Sequence, residues 1–124
     1  MRRLLDTNIL IYFLNLKDEN AATLIADNSS VISVLSRTEL LMGSNPEDIE
    51  KSHKLLNIIQ SLPIDNKIAD IAADLIRDNA KNKKRIADIL IAATALAYHL
   101  ELVTANIKDF NKIPNLKTIG FKLE

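Results

Sequence analysis

Four acidic residues stand where chemistry is readily built: Asp6, Glu39, Asp88 and Asp109. Carboxylates held about 4 Å apart repel by roughly 4 kcal/mol per pair at an effective dielectric near 20. Proteins tolerate such clusters chiefly where a divalent cation neutralises them. Hard oxygen donors without imidazole or thiolate favour Mg²⁺ or Mn²⁺ over zinc. The chain has no cysteine, and its two histidines, His53 and His99, belong to no motif. A site for a hard divalent ion is therefore the chemistry these acids suggest.

Each acid also has a plainer role. Asp6 closes a short apolar segment and fits a turn or helix cap, although Thr7 and Asn8 are themselves good caps and make it redundant there. Glu39 follows Ser36 in a Ser-x-x-Glu capping box, whose loss costs only about 1 kcal/mol; taken alone, capping carries more weight. Asp88 is the sole acid from Ile86 through Leu100. There it is either a partner for the helix dipole or a charge that needs a cation or dense hydrogen bonding. Asp109 by itself reads as a surface-loop acid. Just before Asp88 lie Lys81, Lys83, Lys84 and Arg85. Such runs are usually solvated loops, but this one sits close enough to a presumed site for Lys83, Lys84 and Arg85 to be candidate phosphate contacts.

The elements that must bring these residues together follow from patterning. Arg2–Leu5, Val31–Val34 and Leu102–Thr104 read as strands, with Lys117–Gly120 as a further one. A helix is expected from Thr7-Asn8 through Leu14, another over Asn20–Asp27, and a short one over Ser36–Met42 closed by Gly43. Asn45-Pro46-Glu47-Asp48 has the cap, proline and acids of a helix start, and that helix should run to about Gln60. Leu62-Pro63-Ile64 should be extended. Ile68 to Ile76 shows helical spacing, and Ile86–Leu100, apolar nearly all round, should be a central buried helix. Alternating strands and helices predict an α/β fold with a mainly parallel sheet covered on both faces. Acids just beyond strand ends lie where such sheets bind ligands.

At 124 residues the chain is expected to form one domain over 1–124, without an internal boundary. Sixteen basic residues balance sixteen acidic ones, so any attraction to nucleic acid must come from local patches. The longest apolar run, Ile9–Leu14, is too short to cross a membrane. The acid at position 6 interrupts any signal-peptide pattern, so the expected location is cytoplasmic.

Four blocks together resemble the PIN-domain ribonucleases, specifically the VapC-type toxins of toxin–antitoxin pairs. They are Leu4-Leu5-Asp6-Thr7-Asn8-Ile9-Leu10-Ile11, the stretch Val31 to Gly43 containing Ser36-Arg37-Thr38-Glu39, Ile86-Ala87-Asp88-Ile89-Leu90-Ile91-Ala92-Ala93-Thr94-Ala95, and Leu102-Val103-Thr104-Ala105-Asn106-Ile107-Lys108-Asp109-Phe110. The resemblance implies a three-layer α/β/α sandwich and an endoribonuclease using one or two Mg²⁺ or Mn²⁺ ions. Asp6, Glu39 and Asp88 would be the core metal-site acids, Asp109 the more variable fourth, and Thr7, Asn8, Thr104 and Asn106 their polar supports. It further implies a homodimer and an antitoxin partner covering the site. The family often has Arg where this chain has Ala105, which bears on RNA contacts at the rim. The main rival is a catalytically inert domain of the same fold, serving RNA binding or assembly. A receiver domain needs adjacent acids after the first strand, and an aspartyl phosphatase needs Asp-x-Asp; Asp6-Thr7-Asn8 offers neither.

Overall fold

Two adjacent leucines in the first strand point to opposite faces of a sheet, as the period of two demands, and both are fully buried. The computed structural model of the protein describes residues 2–78 and 84–124. Its strands are β1 (Arg3–Leu5), β2 (Ser30–Ser33), β3 (Gln60–Leu62), β4 (Glu101–Thr104) and β5 (Thr118–Gly120). All four pairings are parallel, in the order β3-β2-β1-β4-β5.

The helices are α1 (Thr7–Leu16), α2 (Glu19–Ala26), α3 (Val34–Met42), α4 (Ile49–Ile58), α5 (Asn66–Asp78) and α6 (Ile86–Ala97), with a 3₁₀ turn at Ile107–Asp109. Leu4, Val31 and Leu102 pack with Ile68, Ala72 and Leu75 of α5 and Ile89, Ile91 and Ala92 of α6. Their strand neighbours Leu5, Ile32 and Val103 pack on the other face with residues of α1, α2 and α4 such as Ile9, Ile25 and Leu55. Three layers result because β1, β2 and β4 each carry buried apolar residues on both faces. Tyr12 and Phe13 belong to this second core, with the Tyr12 ring stacked on Phe121 at 5.9 Å. His53 and His99 are exposed. Among the described residues, no helix is long and apolar enough to cross a membrane.

Several boundaries differ from the sequence expectation. Val34 opens α3 instead of ending β2, because Ser33 caps the helix by accepting the Leu35 N–H. Asn45–Asp48 forms a turn closed by the Asp48 N–H on the Asn45 carbonyl at 2.9 Å. Proline at the second position suits a β-turn as well as a helix start, and α4 begins only at Ile49. That helix stops short of Gln60, which pairs with Val31, and β3 ends at Leu62 because Pro63 has no N–H to donate. α6 ends at Ala97; His99 turns left-handed at φ 55° and the Leu100 N–H returns to the Ala95 carbonyl, a Schellman closure.

The topology decides where a ligand can sit. From β1 the chain winds outward to β2 and β3, whereas β4 and β5 lie on the other side of β1. Beyond the carboxyl ends of β1 and β4, the loops therefore part and leave a crevice at the topological switch point.

Asp18 shows how the periphery is tied down. This buried carboxylate accepts the Ala21 N–H at 2.9 Å as the α2 cap and the Glu124 N–H at 2.7 Å. Asp18→Ala is expected to lower unfolding free energy by about 1–2 kcal/mol in a denaturant titration. Asp18→Asn should lose less, since its amide oxygen still accepts.

Candidate active site

β1 delivers Asp6 to the crevice. Its backbone is still extended (φ −69°, ψ 154°) while its side chain caps α1, with Oδ1 accepting the Thr7 N–H at 2.8 Å. The cap of α1 is thus Asp6 itself; Thr7 and Asn8 are its first helical residues, contrary to the expectation that they cap the helix. Capping and site roles coexist because a carboxylate has two oxygens. The second, Oδ2, accepts a 2.8 Å hydrogen bond from Thr104 Oγ1 at the end of β4. Thr104 Oγ1 in turn accepts the Asn106 N–H at 3.0 Å. Asn106 therefore supports the site through its main chain. Asn8 is half-buried and makes no side-chain hydrogen bond among the described residues.

Only 8% of Asp6 is exposed. Burial raises its pKa above the ordinary 3.8; the Thr104 and Thr7 bonds oppose the rise, and the charges of Glu39 and Asp109 add to it. Among the described residues no cation pairs with it.

Glu39 comes from the middle of α3. Because Ser33 is the cap, Ser36 lies inside the helix and the Ser36–Glu39 capping box does not form. Glu39 Oε1 instead lies 2.7 Å from Thr7 Oγ1, which is also 2.8 Å from the fully buried Ser36 Oγ. A hydroxyl has one proton and an ionised carboxylate only accepts. The Thr7 proton therefore serves Glu39, joining α1 to α3. Ser36 is a supporting residue that its sequence position conceals, since a serine near a helix start reads equally as a cap.

Asp88 lies in the first turn of α6, where the helix dipole favours a negative charge. Its side chain is 15% exposed. Burial raises its pKa; Arg85 opposes the rise, and Asp6, Asp109 and Glu39 reinforce it. Arg85 Nη2 stands 3.4 Å from Glu39 Oε2, and its Nε 3.9 Å from Asp88 Oδ2. Asp109 is exposed in the 3₁₀ turn and reaches the others only through its field. Lys84 Nζ donates to the Asp109 main-chain carbonyl at 3.0 Å. Lys83 lies outside the described residues, as does Lys81.

Asp6, Glu39, Asp88 and Asp109 thus surround one end of the sheet and feel one another's charge. They do not yet meet at a point: among the described residues no three acids are grouped closely enough to hold one ion. Unneutralised carboxylates repel, and a guanidinium bridges two of them.

A PIN domain profile matches residues 3–116. The chain belongs to the PIN-domain family. Ribonuclease VapC2 of Rickettsia felis is 35% identical to it over 127 aligned positions, which span 91% of this chain and 92% of the relative. The solved structure of VapBC2 from Rickettsia felis bound to a DNA fragment from their promoter contains a chain that superposes with a TM-score of 0.84 at 28% identity, covering 98% of this chain and 100% of that one. A toxin–antitoxin complex from Klebsiella pneumoniae gives 0.77 at 28% identity over 96% and 99%.

The donor chemistry of this PIN domain fits a hard divalent ion. All four candidate ligands are carboxylates, and the most buried one is served by hydroxyl and amide donors that leave its charge uncompensated.

Two measurements test the assignments. Asp6 and Asp88 have raised pKa values, so between those values and 3.8 the folded chain binds protons that the unfolded chain does not. Their contribution makes the metal-free protein more stable as pH falls from neutral into that window. Asp27 and Asp65, whose pKa values are lowered by hydrogen bonds, act in the opposite sense only below 3.8. Metal-free Asp88→Asn should therefore melt at or above the parent at pH 7, with the gap closing as pH falls towards 3.8. Glu39→Gln should stay within about 0.5 kcal/mol of the parent in chemical denaturation, because Glu39 caps nothing; a loss near 1 kcal/mol would restore the capping role.

Proposed function

We propose that this chain is a metal-dependent endoribonuclease and the toxin of a toxin–antitoxin pair. The observation that carries the reading is the match, over nine-tenths of both chains, to a protein named Ribonuclease VapC2. The intact acids of the switch-point crevice support it. Asp6, Glu39 and Asp88, with Asp109 at the rim, would hold one or two Mg²⁺ or Mn²⁺ ions. When bound, such an ion supplies Lewis-acid activation of water and stabilises the charge that develops as an RNA phosphodiester breaks.

The chain's own residues prepare that reaction. Thr104 and the Thr7 N–H hold both oxygens of Asp6 in fixed directions. Thr7 anchors one oxygen of Glu39, and the other lies 3.4 Å from Arg85 Nη2. Lys84 and Arg85, with Lys83 beside them in sequence, are the candidate contacts to RNA phosphate. A groove of about 1010 Å³ is lined by Asn106 and Asp109 together with the basic residues Arg3, Lys108 and Lys122, which could also meet RNA phosphate. Asn8 is kept as a support for water or metal, and Asn106 as one through its N–H.

The remaining parts of the proposal are a single domain over 1–124, a homodimer, a cognate antitoxin covering the crevice, and action in the cytoplasm. Likeness to chains from a VapBC2 assembly and from a toxin–antitoxin complex supports the antitoxin partner. One observation favours a rival, an inert PIN-fold module that binds RNA or assembles without cutting: no three acids are grouped to hold an ion among the described residues.

Purified protein incubated with total RNA separates the two. Cleavage is expected with Mg²⁺ or Mn²⁺ and none with chelator. In Asp6→Asn it should fall more than about 100-fold, beyond the 10–100-fold typical of losing an outer-shell partner. Binding of RNA without cleavage in either metal identifies the inert module.

A further inference from the structure

Arg85 is joined to the site by geometry that the cleavage reaction does not require. It precedes α6 at the cap position, with extended backbone (φ −64°, ψ 141°), and its side chain makes no capping hydrogen bond among the described residues. Its side chain turns instead to Glu39 Oε2 at 3.4 Å and Asp88 Oδ2 at 3.9 Å. These acids come from different elements, α3 and α6, and Glu39 is already anchored to Thr7 through its other oxygen. Arg85 therefore faces the Glu39 oxygen that Thr7 leaves unused and one of the two oxygens of Asp88.

We propose that Arg85 is a built-in stand-in for the divalent ion, bridging Glu39 and Asp88 in the metal-free protein and giving way when the ion binds. The inference rests on the reading of these acids as the metal site. Without any cation, Glu39 and Asp88 repel each other and Asp6; a guanidinium between them relieves that repulsion at little cost. Its grip is loose. Both distances exceed the 2.7–2.9 Å of a strong charge-assisted hydrogen bond, and 71% of its side chain is exposed, where ion pairs are weak and easily exchanged. A tight internal pair would block the site, whereas a loose one occupies it only until a doubly charged competitor arrives. The bridge also accounts for acids that share a crevice without closing on one point. Lys84 differs in kind: its ammonium donates to the main-chain carbonyl of Asp109 and, among the described residues, pairs with no carboxylate.

Calorimetric titration of Mn²⁺ into the metal-free full-length chain tests this without reference to cleavage. The variants are Arg85→Gln, Lys84→Gln and Asp6→Asn, each checked for folding by its melting curve. Arg85→Gln should bind Mn²⁺ about fivefold more tightly than the parent, equivalent to about 1 kcal/mol. It should also melt lower than the parent without metal, with the gap closing at saturating Mn²⁺. Lys84→Gln, which removes the same charge beside the site, should change affinity by less than about twofold. Unchanged or weaker binding by Arg85→Gln overturns the proposal, as does equal tightening by Lys84→Gln, which would mean a general field effect. Asp6→Asn reports on the underlying site. If it binds Mn²⁺ like the parent, or neither the parent nor Arg85→Gln binds at all, the metal-site reading fails and takes this inference with it. If Mn²⁺ binding depends on Asp6 but not on Arg85, only the stand-in fails.

Discussion

Holding several like charges at one buried end of a sheet is the constraint around which this protein is arranged. Asp6 is the hardest to keep. It is almost wholly enclosed, within the fields of Glu39 and Asp109, and among the described residues no cation pairs with it. Its ionised form is supported by the Thr7 amide and the Thr104 hydroxyl, and through Thr104 by the Asn106 amide. These donors come from α1, the end of β4 and the loop beyond it. The carboxylate thus ties together the ends of β1 and β4, the two strands between which the winding of the sheet reverses.

The same economy runs through the rest of the crevice. One hydroxyl, Thr7 Oγ1, links α1 to both Ser36 and Glu39 of α3. The α6 dipole helps Asp88, while burial works against its charge. Arg85 spans Glu39 and Asp88 from outside. Every element that borders the crevice contributes a group that either carries negative charge or moderates it. Negative charge outweighs positive in this balance, with Arg85 the one cation seen pairing with these carboxylates among the described residues.

Much of the architecture was legible because short, doubly apolar strands alternate with amphipathic helices. Leu4-Leu5, Val31-Ile32 and Leu102-Val103 each demand burial on both faces, and that condition selects a parallel sheet between two helical layers. Boundaries were less legible where one residue pattern serves two local structures. Asn45-Pro46 suits a turn as well as a helix start, and Ser36 with Glu39 suits a capping box until Ser33 takes the cap. Pairing with β2 drew Gln60 into a strand that local propensity assigned to a helix.

The amino-acid order by itself singled out the four acids that the fold brings to one end of the sheet: Asp88 stands alone in an apolar helix, and the motif blocks mark Asp6, Glu39 and Asp109. It also determined that any ion they hold must be a hard one, since donor chemistry is a property of residue type. Tertiary structure alone decided that Thr7 serves Glu39, that Asn106 acts through its amide, and that the largely exposed Arg85 reaches two acids. These are contacts between residues distant along the chain, and a hydrogen bond or ion pair depends on distance and direction, which only the packed fold supplies.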